Sequence, residues 1–281
     1  MSAHPEMGPP IAGPSALGGS PRRFAHLALT LAATEFKLRF FGSALGYLWQ
    51  LVRPLMLFGV LFVVFTEFIK LGERVTFYPV VLLANIVLFT FFQEGTGAVG
   101  SMVDRESLVR KIHFPRMAIP VSVVLTAGFN LALNLVVVAI FAVASGVRPH
   151  WSWLQAPLII ALLAAFVCGL AMLLSALYVR FRDVKPIWDV VLQVLFYATP
   201  VIYAVEAIGV SAAIQHALMM NPLAALLEQF RHAVIDPAAP SAAEAAGGAV
   251  RLLVPGAILV ATVAAGFRVF DREAPRIAEQ L

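Results

Sequence analysis

Two long stretches without a charged side chain place the strongest limit on how this chain can fold. Residues 117–147 and 151–179 are uncharged throughout, and each is longer than the ~20 apolar residues that an α-helix needs to cross a bilayer. Charged residues make up 13% of the 281 residues, whereas soluble domains contain roughly 25%. The sequence therefore predicts an all-α, polytopic integral membrane protein.

Six apolar stretches are candidates for transmembrane helices. They are residues 45–65, 77–92, 117–147, 151–179, 187–205 and 252–267, and the second continues into QEGTGAVGSMV at residues 93–103. The fifth and sixth are near the lower length limit for crossing a bilayer. Together the stretches predict one membrane domain with six transmembrane helices.

The part of the chain before the first span divides into a tail and a helix. Residues 1–21 are rich in Pro, Gly and Ser, which is typical of a disordered tail, and we expect the membrane domain to occupy residues 22–281. Phe24, Leu27 and Leu31 recur at helical spacing in residues 22–41, with basic side chains on the other side. This pattern favours an amphipathic helix in the membrane interface over a cytosolic helix packed on neighbouring loops.

Residues 207–227 are also uncharged and are long enough to form a seventh span. Polar and helix-breaking residues interrupt them, however, and Asn221-Pro222 is a turn signal. We therefore expect two short helices that re-enter the outer half of the membrane, the second with Glu228 and Arg231 near its far end. Broken backbone at membrane depth survives only where it packs in protein or lines a cavity.

The distribution of Lys and Arg predicts the orientation of the chain. With the N-terminus inside, 14 of the 20 basic residues fall in inner segments and five in outer ones, as the positive-inside rule requires. We expect a plasma (inner) membrane protein with both termini in the cytoplasm. Nucleic acid is not an expected partner, because the basic residues are dispersed among separate short loops.

The longest charged island joins the second and third spans at residues 101–116. Its charged residues and its helix-ending proline are Asp104, Arg105, Glu106, Arg110, Lys111, Pro115 and Arg116. The next inner loop contributes Arg180, Arg182, Asp183 and Lys185. We interpret the island as the contact through which another protein moves the membrane domain, with a solvated loop beside lipid head groups as the alternative.

The sequence contains no phosphate-binding GxxxxGK[ST] motif, so an external energy source is needed for any pumping. Gly95, Gly97 and Gly100 match the GxGxxG fingerprint, but they end a span instead of following a strand, and we expect close helix packing or a loosened helix end. The six histidines and the single cysteine lack metal-ligand spacing. No cofactor of its own is expected.

Charged side chains are absent from the middle of the second, third, fourth and sixth predicted spans, which argues against an ion-coupled transporter. We expect Asn130 and Asn134, one turn apart, to form interhelical hydrogen bonds instead of a substrate site. An intramembrane hydrolase would need Ser175 and His216 to meet, although no nucleophile motif surrounds that serine.

Several stretches together resemble the membrane subunit of ABC-2-type polysaccharide exporters, which export O-antigen, teichoic acid, capsule and galactan. They are FKLRFFGSALGYLWQLVRPL at 36–55, SLVRKIHFPRMAIPVS at 107–122, LSALYVRFRDVKPIWDVVLQVLFYATPVIY at 174–203 and NPLAALLEQFRHAVI at 221–235. The resemblance extends over nearly everything after Arg22. Each stretch alone is weak, but their order and spacing form a strong set.

The resemblance implies a homodimer with a channel at its interface, two separate ABC ATPase subunits that bind ATP and Mg, and a long lipid-linked glycan as cargo. It implies that the 104–116 loop and the N-terminal helix contact the ATPase. It also implies that the outer helices, with Asn221, Pro222, Glu228 and Arg231, gate the exit. A permease for a small drug or lipid is the alternative with the same architecture.

Aromatic residues near the second and fifth spans could line a sugar path by ring stacking. They are Phe89, Phe91, Phe92, Phe196, Tyr197 and Tyr203. For most of them we expect packing against lipid instead.

Overall fold

Helices make up the regular structure of the chain wherever it is described. The computed structural model describes residues 20–40, 46, 48–70, 74–106 and 114–274, and among these residues there is no strand. Most of the predicted tail lies outside the described residues, so its disorder stays a prediction. The same holds for Arg110 and Lys111.

The α-helices are numbered in chain order. They are α1 (Pro21–Phe40), α2 (Leu48–Val63), α3 (Tyr78–Thr96), α4 (Ser101–Asp104), α5 (Ala118–Ala144), α6 (Ala156–Arg180), α7 (Val184–Ala198), α8 (Ala212–Leu218), α9 (Pro222–Phe230), α10 (Ala242–Ala245) and α11 (Leu253–Glu273). A π-helical turn extends α2 over Val64–Phe68, and another extends α9 over Arg231–Ile235. Short 3₁₀ helices occupy Gly97–Gly100, Trp151–Gln155, Val205–Ile208 and Ala249–Leu252.

Five of the helical stretches described are long and apolar enough to cross a membrane, which confirms a polytopic membrane protein. They are Leu48–Phe68, Tyr78–Asp104, Ala118–Ala144, Trp151–Arg180 and Ala249–Glu273. The predicted continuation of the second span past residue 92 is helical in the structure, because the Gly97–Gly100 turn tightens the helix without ending it. Glu94 therefore lies within a helix of spanning length.

The fifth predicted span is helical only as far as Ala198. Thr199 is extended (φ −98°, ψ 146°) because the following residue, Pro200, disfavours the helical conformation before it. At 15 residues, α7 is only about 22 Å long, shorter than the ~30 Å apolar core of a bilayer. The predicted fifth crossing would therefore need the non-helical segment that follows α7.

The whole stretch from α7 to Ile202 runs antiparallel to α3. Trp188 and Phe196 pack on Phe92 and Phe89, with ring centroids 6.4 and 5.1 Å apart. Further along, Asn85 Nδ2 donates to the Pro200 carbonyl at 3.0 Å, and Tyr78 Oη donates to the Ile202 carbonyl at 2.8 Å. These two side chains satisfy the carbonyls that the broken helix leaves free. Six crossings stay a prediction, with α7 and its extension supplying the fifth.

The N-terminal helix α1 packs along the first half of α5. Ala28 and Ala32 are 1% and 0% exposed, and Thr126 Oγ1 donates to the Ala32 carbonyl at 3.3 Å. The rings of Phe36 and Phe129 meet edge to face at 5.6 Å. A small-residue face therefore binds α1 to the protein, and the position of this helix in the membrane interface stays a prediction.

The core is built around α3, in which 15 of the 19 residues are buried. Helices α5, α6 and α9 pack around it, whereas α2 and α7 leave many apolar side chains exposed. We call the end of the bundle near α4 the inner end. An inner cluster there contains Met102, Met117, Ile119, Met172, Ala176, Val179, Phe270 and Ala274. An outer cluster at the opposite end contains Val205, Met219, Ala224 and Ala246.

Candidate functional site

A groove between α2, α3 and α7 holds the best candidate for a substrate path. Its volume is about 410 Å³, and it combines amide, carboxylate and aromatic side chains. The polar groups come from Gln93, Asp189 and Gln193, and the rings from Phe89, Phe196 and Tyr197. Phe196 meets both neighbouring rings edge to face, at 5.1 Å to Phe89 and 5.3 Å to Tyr197.

These groups suit a ligand that carries many hydroxyl groups. Amides can donate and accept hydrogen bonds with hydroxyls, and a carboxylate can accept them. Aromatic rings provide flat apolar faces beside the polar groups. Helical geometry brings the set together, because Asp189 and Gln193 are one turn apart on α7 and face Gln93 of α3.

The burial of the aromatic side chains differs from the packing against lipid that was expected for most of them. Phe89, Phe91 and Phe92 are 3%, 3% and 1% exposed, so packing against lipid was wrong for these three. Phe89 and Phe196 line the groove, and Tyr197 is 62% exposed at its edge. Tyr203 Oη donates to the Tyr197 carbonyl at 3.3 Å.

The predicted inner loop is described at its two ends, and both ends are bound to other helices. Before the loop, Arg105 forms an ion pair with Glu35 of α1, and its Nη1 donates to Ser122 Oγ at 3.2 Å. After the loop, Arg116 is 7% exposed and donates to the carbonyl of Ala274, at the end of α11. Asp104 is exposed, and Glu106 and Pro115 are half-buried.

The second inner loop lies at the same end of the bundle as the first. Val179, which precedes it, shares the inner cluster with Met102 and Met117. Its four charged residues are exposed: Arg180, Arg182, Asp183 and Lys185. The guanidinium groups of its two arginines lie over the rings of Phe181 and Tyr178, at 5.3 and 5.1 Å from the centroids. This loop thus presents four exposed charged side chains at the inner end of the bundle.

The outer helices begin where the sequence predicted. Asn221 Oδ1 accepts from the Leu223 amide at 3.0 Å and caps α9, while its Nδ2 donates to Thr199 Oγ1 at 3.0 Å. This second bond ties α9 to the segment that follows α7. Pro222 is buried at the first position of α9, where a missing N–H costs nothing. Residues 207–227 therefore form two short helices, as expected, and not a seventh span.

An ion network around the buried Arg231 lies at the end of α9. Arg231 is 3% exposed, and its two terminal nitrogens reach Glu206 Oε1 at 2.6 Å and Glu228 Oε1 at 3.1 Å. Burial raises the pKa of Glu228 to about 7, although Arg231 acts in the opposite direction. Sequence reasoning missed Glu206, which the chain brings to this site from a separate 3₁₀ turn.

Two asparagines of α5 form the interhelical bonds that the sequence predicted. Asn130 Nδ2 donates to Glu94 Oε2 at 2.7 Å, which joins α5 to α3. Asn134 Nδ2 donates to the Asn130 carbonyl at 2.9 Å and to the Gln50 carbonyl of α2 at 3.4 Å. The carboxylate of Glu94 thus has a partner within the bundle.

Comparison with known proteins identifies the family. Residues 26–235, three quarters of the chain, match the family described as ABC-2 type transporter. The chain belongs to this family. ABC-2 transporter membrane domains work with an ABC ATPase, so the match also implies such a partner for this chain.

Relatives within the ABC-2 transporter family are similar over most of their length. One is the O-antigen export system permease protein RfbA of Myxococcus xanthus, which is 26% identical over 92% of this chain and 96% of its own. Another, of the same name, comes from Klebsiella pneumoniae and is 27% identical over 73% of this chain and 78% of its own. The resemblance to polysaccharide exporters is confirmed.

The hydrolase hypothesis does not agree with the geometry of this ABC-2 transporter chain. Ser175 is buried beside the inner cluster and donates to the Met172 carbonyl at 3.1 Å. His216 lies at the outer end, where it contacts Arg251. The two side chains lie at opposite ends of the bundle and cannot act together.

Proposed function

We propose that this chain is the transmembrane permease subunit of an ABC transporter that exports a lipid-linked polysaccharide, of the O-antigen, teichoic-acid or galactan type, across the plasma membrane. The groove between α2, α3 and α7 carries the proposal, because its amides, carboxylate and rings suit a chain of sugars. The relatives named O-antigen export permeases support the same cargo class.

The channel would form between two copies of the chain. In one copy the groove is open on the side of α2 and α7, and both helices expose apolar side chains there. Examples are Met56 and Val60 on α2 at 63% and 65%, and Val190 and Val194 on α7 at 61% and 59%. A second copy would cover part of this surface and close the groove into a path. The remaining exposed surface would face lipid.

The energy would come from two copies of a separate ABC ATPase bound at the inner end. The sequence lacks a phosphate-binding motif of its own, and the charged residues of the two inner loops suit a protein contact. ATP and Mg would therefore bind to the partner, and this chain would act without a cofactor. Both termini would lie in the cytoplasm with that partner.

At the outer end, α8 and α9 would gate the exit of the glycan. The bond from Asn221 to Thr199 ties α9 to the segment that follows α7, a helix of the groove. The network of Glu206, Glu228 and Arg231 holds the far end of α9. A movement of α7 would therefore reach the outer helices directly.

Exchange of the groove amides tests the proposal. The double variant Gln93→Leu with Gln193→Leu keeps the side-chain size but removes the hydrogen-bonding groups from the groove. We expect it to lower the surface polysaccharide of the producing strain, because the glycan loses its polar partners along the path. Surface polysaccharide is measured by gel electrophoresis of the extracted glycan, together with the amount of permease in the membrane.

Gln50→Leu on α2 is the matched control, because it exchanges the same side chain outside the groove, and the bond from Asn134 uses only the Gln50 backbone carbonyl. It should export as the wild type does. Wild-type glycan levels in the double variant, at equal permease levels, would contradict the assignment of the groove.

A further inference from the structure

The loop of residues 107–113 is flanked by two arginines that point back into the protein. Arg105 precedes it, and Arg116 follows it. The side chain of Arg105 is 22% exposed and that of Glu35, its partner on α1, is 29% exposed. A side chain held in this way offers little surface to a second protein, although its charge made it a candidate for such a contact.

Arg105 connects three helices. It directly follows α4, forms the ion pair with α1 through Glu35, and donates to Ser122 in the second turn of α5. Charge-assisted hydrogen bonds of this kind are directional and stronger than neutral ones. The inner ends of α1, α4 and α5 therefore share one polar contact next to the loop.

The ion pair is a charged connection between α1 and the helix before the loop. Glu35 and Arg105 both line a cavity of about 500 Å³, which lies between α1 on one side and Gly97–Gly100 with α4 on the other. Other contacts of α1 are to α5, at Ala32, and to the inner cluster, at Phe24. Without the ion pair, α1 would keep these contacts but would lose its charged connection to the end of α4.

We propose that Arg105 and Glu35 are a positioning pair that transmits movement of the inner loop to α1, and that they do not contact the ATPase. This inference rests on the proposed function, since it assumes an ATPase that moves the loop. The pair makes α4, α1 and the start of α5 move as one unit when the loop is displaced.

Charge exchange in the assembled transporter tests the pair. The chain is co-expressed with the ABC ATPase of the same transporter, and three variants are compared with wild type: Glu35→Gln, Arg105→Gln, and the swap of Glu35→Arg with Arg105→Glu. Lys37→Gln is the control, because Lys37 is a charged residue on the same helix outside this ion pair. The amount of ATPase that copurifies, ATP hydrolysis in nanodiscs and surface polysaccharide are measured.

Each single variant should bind the ATPase as wild type does but lose export by at least about fivefold, the lower end of typical coupling effects. The swap should recover most of that loss, since it restores an ion pair with reversed polarity. Arg105→Lys should also retain most of the export, and it covers the case in which the swapped chain is unstable. The Lys37→Gln control should match wild type in all three measurements.

Three results would contradict the role of Arg105 and Glu35 as a positioning pair. The first is wild-type export in both single variants, and the second is loss of ATPase binding in the single variants but not in Lys37→Gln. The third is that neither the swap nor Arg105→Lys exports polysaccharide. The second result would make the two residues part of the ATPase contact. Failure of the wild-type chain to bind an ABC ATPase at all would instead contradict the proposed function.

Discussion

Gly169 of α6 lies where α11 approaches most closely, and its substitution by alanine should destabilise the protein. A Cβ atom at this position would lie 2.8 Å from the Cα of Val263, 3.0 Å from its amide nitrogen and 3.2 Å from the carbonyl carbon of Thr262. These are backbone atoms, so no side chain can rotate away. On the facing helix, a Cβ atom at Gly266 would meet the carbonyl of Gly169.

The size of the effect follows from the displacement that the new methyl group requires. A normal contact begins near 3.4 Å, so α11 must move by about 0.6 Å from a Cβ atom at 2.8 Å. A gap of that size forfeits about a quarter of the dispersion energy along the contact, and overpacking typically costs about 1–3 kcal/mol. Alanine recovers about 0.5–1 kcal/mol in helix propensity. The net loss should be about 1–2 kcal/mol.

Gly256→Ala on α11 is the matched control, because no atom lies within 4 Å of the place that its new methyl group would occupy. That variant should gain the helix propensity alone. Thermal unfolding of the purified protein in detergent, followed by circular dichroism, should give a lower Tm for Gly169→Ala and an equal or higher Tm for Gly256→Ala. A Tm of Gly169→Ala equal to that of the Gly256→Ala control would refute the close crossing of α6 and α11.

Three further predictions concern the outer end. Burial raises the pKa of Glu228 from 4.5 to about 7, so between these pH values the native state binds more protons than the unfolded state. The stability of the protein should therefore fall as the pH rises from about 4.5 to 7. The variant Glu228→Gln should flatten the slope of Tm against pH. Arg231→Gln leaves two carboxylates without their cation and should cost about 3–5 kcal/mol, measured as a Tm loss that Glu228→Gln partly reverses. Tyr78→Phe removes the buried bond to the Ile202 carbonyl and should cost about 1 kcal/mol, whereas Tyr203→Phe, with its exposed 3.3 Å bond, should leave Tm nearly unchanged.

The sequence predicted the features that depend on local composition. The uncharged runs at 117–147 and 151–179 match spanning helices, because length and apolarity decide such helices alone. Asn221-Pro222 starts α9 as a cap followed by a first-turn proline, which is also a local signal. Both predictions needed no knowledge of the neighbouring helices.

Features that depend on contacts between distant residues were missed. Glu94, in the continuation of the second span, accepts a hydrogen bond from Asn130 of α5, and no local rule reveals that partner. Arg105 and Glu35 are 70 positions apart in sequence, so their pairing was equally hidden. The early end of α7 could have been predicted from the sequence, because a residue that precedes proline disfavours the helical conformation.

In the proposed function, a separate ATPase drives glycan export through this chain. The decisive experiment follows the ATP-dependent entry of radiolabelled polysaccharide into inverted membrane vesicles that contain the chain, the ABC ATPase of the same transporter, or both. Polysaccharide should enter only when both proteins and ATP are present, and it should not enter when the ATPase carries an inactive catalytic site. Entry with this chain alone, or ATP hydrolysis by the purified chain without a partner, would contradict the proposed function.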